Sequence, residues 1–261
     1  MRSTATAEDG QDALSPLRLA ARAGSALLLL VIYAPLHVGT KVLFGRSGWP
    51  QRFLASVSWA IGVRARCHGA PVKPETLLLP NHVSWIDIIV LSGTTGCAFV
   101  SKDELGHPLV HWLADQNKTV YVRRSHVKGA KDQAIALARA LEGDKPVAVF
   151  PEGTVGPGTA LLPFRSTLIE AAKYAAREVE VRPVALDYGP VAAAIAWYQQ
   201  PALQNVRRVL GRRGTIKVDI HLLAPLDRSV DRKAMTREAR YAIASVLGFA
   251  DEAPSPIGAA Q

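Results

Sequence analysis

Cysteine is scarce in this chain. There are two, Cys67 and Cys97, among 261 residues, and they do not form a C-x-x-C pair. That spacing excludes a zinc ribbon or a dithiol redox motif. It points to free thiols in a reducing compartment, with a single disulfide as the alternative. Charged residues are also sparse, at 20%. No Gly-Lys-Ser/Thr accompanies the glycines at 153, 156 and 158, which argues against a nucleotide phosphate loop. No G-x-S-x-G elbow occurs, so the serine nucleophile of a lipid hydrolase is missing. His107 and His111 are read as a helix face, and no metal site is implied. There is no internal repeat and no long linker.

What the chain does have is apolar mass and positive charge. Hydrophobic residues make up 49%, and the formal net charge is +9 with a pI near 9.8. The length suits one sizeable domain. The charge favours an anionic partner, either nucleic acid or an anionic membrane surface.

Between Arg22 and Lys41 no residue carries a formal charge, and the run includes Leu27-Leu28-Leu29-Leu30-Val31-Ile32. A membrane-spanning helix needs about 20 apolar residues. Pro35, His37 and Gly39 make this run marginal, and no small-x-small cleavage site follows it as in a signal peptide. Basic residues flank both ends: Arg2, Arg18 and Arg22 before, Lys41, Arg46 and Arg52 after. Such symmetry gives no orientation bias. It fits a helix lying in the interface or dipping in from one side. The pattern predicts a tail over 1–15, a helix over 16–44, a break at 45–50 and a second helix over 51–66, together a membrane-associated helical hairpin.

From Thr76 onward short apolar runs alternate with helical stretches. Strands are expected at 76–79, 98–101, 120–122, 147–150, 181–186 and 215–223. Helices are expected at 85–93, 104–115, 128–142, 166–178, 191–199 and 231–247. That alternation predicts an α/β fold with a mostly parallel sheet flanked by helices. The expected division is a tail and hairpin over 1–70, an α/β domain over 71–250 and a loose tail over 251–261.

Three constellations carry chemistry. Asn81-His82-Val83-Ser84-Trp85-Ile86-Asp87 sits where the 76–79 strand ends and a helix begins, the sheet edge at which α/β ligands collect. Residues five apart point about 140° apart in a helix and to opposite faces in a strand, so His82 and Asp87 meet only if the chain turns between them. A strand-to-helix turn allows it. Asp87 would then fix one tautomer of His82 and leave the other nitrogen as a base. The competing reading is a capping box, with Ser84 as N-cap and Asp87 three residues on. The second constellation is Phe150-Pro151-Glu152-Gly153-Thr154, a tight polar turn after another strand, with an ordinary β-turn as its bland alternative. The third is basic: Arg123 and Arg124 with Lys128 and Lys131, suited to phosphate or equally to a solvated loop. Arg207, Arg208, Arg212 and Arg213 fit a surface or membrane contact.

Together these blocks resemble the lysophospholipid acyltransferase family. Asn-His-x-Ser-x-x-Asp is intact at 81–87 and Phe-Pro-Glu-Gly-Thr at 150–154. Tyr121-Val122-Arg123-Arg124 resembles the third block and Val181-Arg182-Pro183-Val184-Ala185-Leu186 the fourth. The resemblance covers about residues 75–190. It implies catalysis by His82 and Asp87, substrate binding by Arg124, Glu152, Gly153 and Thr154, and no cofactor beyond acyl-CoA or acyl-ACP as co-substrate. It implies lysophosphatidic acid as acceptor and membrane lipids, not nucleic acid, as partners. It also implies a seat on the cytoplasmic face of the membrane, monotopic or with a single N-terminal anchor. Two departures fall where the acceptor is read. Val155-Gly156-Pro157-Gly158 stands where Arg or Ser often follows, and Phe164-Arg165-Ser166-Thr167 replaces a common Phe-Lys-x-Gly. Ala196-Trp197-Tyr198 near Gly211-Arg212-Arg213-Gly214 resembles enzymes that acylate lyso-ornithine lipid, the alternative acceptor. A second alternative is a non-catalytic basic membrane-binding protein.

Overall fold

The computed structural model describes residues 14–102, 107–122, 129–167, 169, 171–175 and 178–250. The tails expected at 1–15 and 251–261 lie outside these residues, except for Leu14 and Ser15. Arg123, Arg124 and Lys128 lie outside them too.

The chain opens with two helices, α1 (Pro16–Phe44) and α2 (Trp49–Ala60). Ser15 caps α1, its hydroxyl accepting from the Arg18 N–H at 3.4 Å, and Gly45 ends it in the left-handed region at φ 69°. At about 1.5 Å per residue α1 is long enough to cross a bilayer, and the mean hydropathy of 1.9 over its 18-residue apolar stretch suits one. Its outward face exposes Leu27, Leu28, Val31, Ile32, Val42, Leu43 and Phe44, and only His37 is buried. Both ends are tied to the body. The Arg22 guanidinium donates to the carbonyls of Val209, Leu210, Arg212 and Gly214. Near the other end His37 Nε2 lies 3.1 Å from Gln116 Oε1. α1 therefore lies along the domain with one apolar face unpartnered.

After the hairpin come β1 (Val63–His68), β2 (Thr76–Pro80), α3 (Ile86–Thr95), β3 (Ala98–Lys102), α4 (Pro108–Gln116), β4 (Val120–Val122), α5 (Gly129–Leu141), β5 (Val147–Ala148), α6 (Ala171–Tyr174) and β6 (Glu180–Asp187). A 3₁₀ turn (Gly189–Val191), α7 (Ala192–Ile195), α8 (Ala202–Gly211), β7 (Ile216–Leu222) and α9 (Arg232–Leu247) complete it. The sheet order is β1-β7-β6-β2-β5-β3-β4, parallel throughout except for the antiparallel β6–β7 pair. β2 is central and wholly buried, as its continuous apolar run requires. Leu78 faces one core with Val90, Leu91 and Val184. Leu77 and Leu79 face the other with Leu137, Leu141 and Met235. Because β5 and β6 are the neighbours of β2 and run parallel to it, their carboxyl ends flank the residue that follows β2.

Two expectations are corrected. The second helix does not reach residue 66. It ends at Ala60, Gly62 turns the chain at φ 86°, and Val63–His68 pairs with β7 inside the sheet. That strand falls on the N-terminal side of the expected division at residue 70. Of the helix expected over 166–178, Ala171–Tyr174 is helical. Ala202–Gly211, outside every expected element, is a helix. α2 packs so closely on α3 that a Cβ at Gly93 would stand 2.8 Å from the Ala55 nitrogen. The hairpin is thus seated directly on the helix that carries Asp87.

Candidate active site

The turn after β2 brings His82 and Asp87 together. His82 Nδ1 lies 2.8 Å from Asp87 Oδ2. That oxygen also accepts from the backbone N–H groups of Val83 (2.6 Å) and Ser84 (2.9 Å). The helix begins at Ile86, and Ser84 makes no side-chain cap; its buried hydroxyl has no partner among the described residues. Half of the expected capping box is therefore present. Asp87 reaches back to the turn as a capping carboxylate would, and the same oxygen holds the imidazole. The two readings of Asp87 describe one arrangement.

Asp87 is 0% exposed, while the His82 side chain is 14% exposed. The imidazole stacks on Phe150, with centroids 3.8 Å apart and planes 16° apart. Its Nε2 carries no hydrogen bond among the described residues. With Nδ1 engaged by a carboxylate, Nε2 is the nitrogen left to take a proton.

Glu152 sits on the turn after β5 and is 3% exposed. Oε1 accepts from the His82 N–H at 2.7 Å and Oε2 from the Leu162 N–H at 2.9 Å. Burial pushes its carboxyl up to about 7, against those two N–H bonds, which favour the ionised form. Each oxygen accepts one backbone N–H, so Glu152 braces the His82 turn. Gly153 closes its turn at φ 70° through its N–H to the Phe150 carbonyl (3.1 Å). Thr154 is exposed beside it. Arg124 lies outside the described residues.

Three residues to which sequence reasoning gave no role complete the site. Tyr188, just past β6, donates its hydroxyl to Asp87 Oδ1 at 2.6 Å. Burial and the Asp87 charge push that phenol well above its usual range, so it keeps its proton. Asn81 Oδ1 accepts from Leu186 N–H (2.7 Å) and its Nδ2 donates to Leu186 C=O (3.2 Å), extending the β2–β6 ladder by a side chain. Gly156 donates its N–H to the His82 carbonyl at 2.7 Å, and a Cβ there would stand 2.9 Å from Glu152 Oε2. The Asn preceding His82 and the glycine-rich segment after Thr154 were the available signals. Nothing local marks Tyr188. A cavity of about 110 Å³ opens beside His82, lined also by Leu161, Tyr188, Ala192 and Phe249.

A buried aspartate, a partly exposed imidazole and a braced turn suit a general base acting on a hydroxyl, not a decayed site. The Acyltransferase family model matches residues 64–187. The chain is 30% identical over 253 residues to the lyso-ornithine lipid O-acyltransferase of Rhodobacter capsulatus, covering 88% of this chain and 90% of that one. It is 33% identical over 213 residues to the same-named protein of Pseudomonas aeruginosa, covering 78% and 79%. It is 27% identical over 200 residues to the 1-acyl-sn-glycerol-3-phosphate acyltransferase of Neisseria gonorrhoeae, covering 70% and 73%. The solved structure of the LPA acyltransferase PlsC from Thermotoga maritima superposes with a TM-score of 0.66 over 90% of this chain and 97% of that one, at 20% identity, and shares the fold. The chain belongs to the lysophospholipid acyltransferase family and is an acyltransferase.

Proposed function

We propose that this acyltransferase transfers a fatty acyl group to the free hydroxyl of lyso-ornithine lipid. The observation that carries the acceptor is the segment behind the catalytic turn. Val155-Gly156-Pro157-Gly158 folds into the site: Gly156 bonds the His82 carbonyl, and a Cβ at Gly158 would stand 2.8 Å from the Ala192 carbonyl carbon. It brings no cation to the place where the family often carries Arg or Ser. A phosphate monoester would be better served by a guanidinium there. The two relatives at 30% and 33% identity, both named for lyso-ornithine lipid, support the same acceptor. Lysophosphatidic acid is the second reading, favoured by Arg124 at the family's phosphate-contacting position and by the Neisseria relative.

The donor is an acyl thioester on CoA or acyl carrier protein. His82 Nε2 removes the acceptor proton as the hydroxyl oxygen attacks the thioester carbonyl. The tetrahedral adduct collapses, the C–S bond breaks, and the imidazolium returns its proton to the departing thiolate. Asp87 holds the ring throughout. The apolar face of α1 and its basic flanks support a seat in the membrane interface, on the cytoplasmic side where such thioesters are made.

The test offers purified protein an acyl thioester with lyso-ornithine lipid and lysophosphatidic acid, separately and in competition. Higher kcat/KM with lyso-ornithine lipid is expected, and the reverse preference overturns the acceptor assignment. His82→Ala should lower transfer about 10²–10⁴-fold; transfer at the wild-type rate would remove the mechanism.

A further inference from the structure

The acyl-transfer reading makes His82 and Asp87 the working pair, and the surroundings of Asp87 add a third residue. We infer that Tyr188 is a positioning residue of the reaction: its hydroxyl holds Oδ1 of Asp87 and, through that carboxylate, sets the orientation and charge felt by the His82 imidazole. The inference rests on the His82–Asp87 mechanism and is independent of which lysolipid is the acceptor.

The Asp87 carboxylate divides its work between two oxygens. Oδ2 takes the imidazole and the Val83 and Ser84 N–H groups; Oδ1 takes the Tyr188 hydroxyl. Asp87 is 0% and Tyr188 3% exposed, so removing the phenol leaves a buried carboxylate oxygen without its donor. A neutral hydroxyl donating to a carboxylate disperses its negative charge. With the phenol present, less charge remains on Oδ2 to hold an imidazolium at Nδ1.

The placement follows from the sheet. β6 lies beside β2, and the two-pronged bond from Asn81 to the Leu186 backbone sets its register at the catalytic edge. Leu186 and Tyr188, two apart, belong to the same buried cluster as Ile86 and Val90 of α3. Tyr188 therefore approaches α3 from the sheet side, where Asp87 sits in the first helical turn. Among the described residues the other carboxylates near the pair have their own partners. Glu152 is held by the His82 and Leu162 N–H groups, and Asp187 accepts from the Gly189 N–H at 2.7 Å. Arg165 is exposed beside Gly153. Among the described residues Tyr188 is the donor to Oδ1.

The experiment compares full-length wild type with Tyr188→Phe and with 3-fluorotyrosine incorporated at 188, using whichever lysolipid the wild type accepts. The readouts are the pH profile of kcat/KM, the separate kcat and KM, and the thermal melt. In Tyr188→Phe the acid limb should move up by about half to one pH unit, with kcat down roughly three- to tenfold and KM within about twofold. The fluorinated phenol donates more strongly and should move the limb the other way. A purely space-filling tyrosine would change the melt and leave the limbs coincident, and coincident limbs in an active protein overturn the inference. If Tyr188→Phe fails to fold, the fluorotyrosine protein decides alone by the same criterion. A wild type that acylates neither lysolipid takes down the acyl-transfer reading, and this inference with it; an active wild type with unmoved limbs takes down only the role of Tyr188.

Discussion

Asp87 and Glu152 are both buried carboxylates at the carboxyl edge of the sheet, and both accept backbone N–H bonds from the turn that carries His82. They differ in what else they hold. Asp87 takes the His82 ring and the Tyr188 hydroxyl. Glu152 takes a second backbone N–H, from Leu162, and no side chain. Neighbouring acids of the same kind thus divide into one that holds the imidazole and one that shapes the chain beneath it. The division is set by which strand delivers each. Asp87 follows His82 on the same turn, whereas Glu152 arrives from β5 and meets the backbone side of that turn.

The largest effect should come from the ring-holding acid. Asp87→Asn keeps the shape but removes the charge and weakens control of the tautomer. Turnover should fall about 10²–10⁴-fold with KM little changed. A kinetic comparison that left kcat intact would erase the distinction between the two acids.

Glu152→Gln comes next. One of the two N–H groups would then face an amide donor, costing about 1–3 kcal/mol of stability, and kcat should drop by about tenfold through the loosened turn. The pH dependence sharpens the contrast. The Glu152 carboxyl is raised in the folded state from 4.5 to about 7. In that window Glu152 binds more protons in the folded chain than in the unfolded one, so the stability it contributes is fully present below about pH 4.5 and is lost as pH rises toward 7. The fall is about 3 kcal/mol at most. Melting curves across that range should slope less steeply for Glu152→Gln than for wild type, and parallel curves would contradict it.

The smallest effect concerns the space around Glu152. Gly156→Ala places a methyl 2.9 Å from Glu152 Oε2 and 3.3 Å from the His82 carbonyl oxygen. Overpacking there should lower stability by about 1–3 kcal/mol, and activity a few-fold. Paired melts and rates check this, and a variant as stable and active as wild type would show that the segment has room to give.

Much of this arrangement was legible in the chain. The uncharged run gave α1 at 16–44, and the buried run at 76–79 gave the central strand, because local hydrophobic patterning is strong there. The spacing of His82 and Asp87 demanded a turn, and the turn is present. Val63–His68 escaped because apolar spacing continues from α2 through Val63, and only pairing with β7 makes those residues a strand. Ala202–Gly211 escaped because its buried face includes Asn205, a polar residue that accepts from the Trp85 indole at 2.9 Å and donates to the Ile195 and Ala196 carbonyls. Glu152 was found, but its bonds to the His82 and Leu162 N–H groups were not, since a sequence cannot show which donors an acid will meet.

The sequence by itself determined the constellations: a histidine and an aspartate joined by a strand-to-helix turn, a second polar turn, and an apolar helix with basic ends. The tertiary structure alone decided which acid serves the ring, which serves the backbone, and that a tyrosine about a hundred residues away completes the aspartate. The physical reason is sheet order. β6 and β5 lie on either side of β2, and that adjacency depends on long-range pairing, which no local pattern encodes.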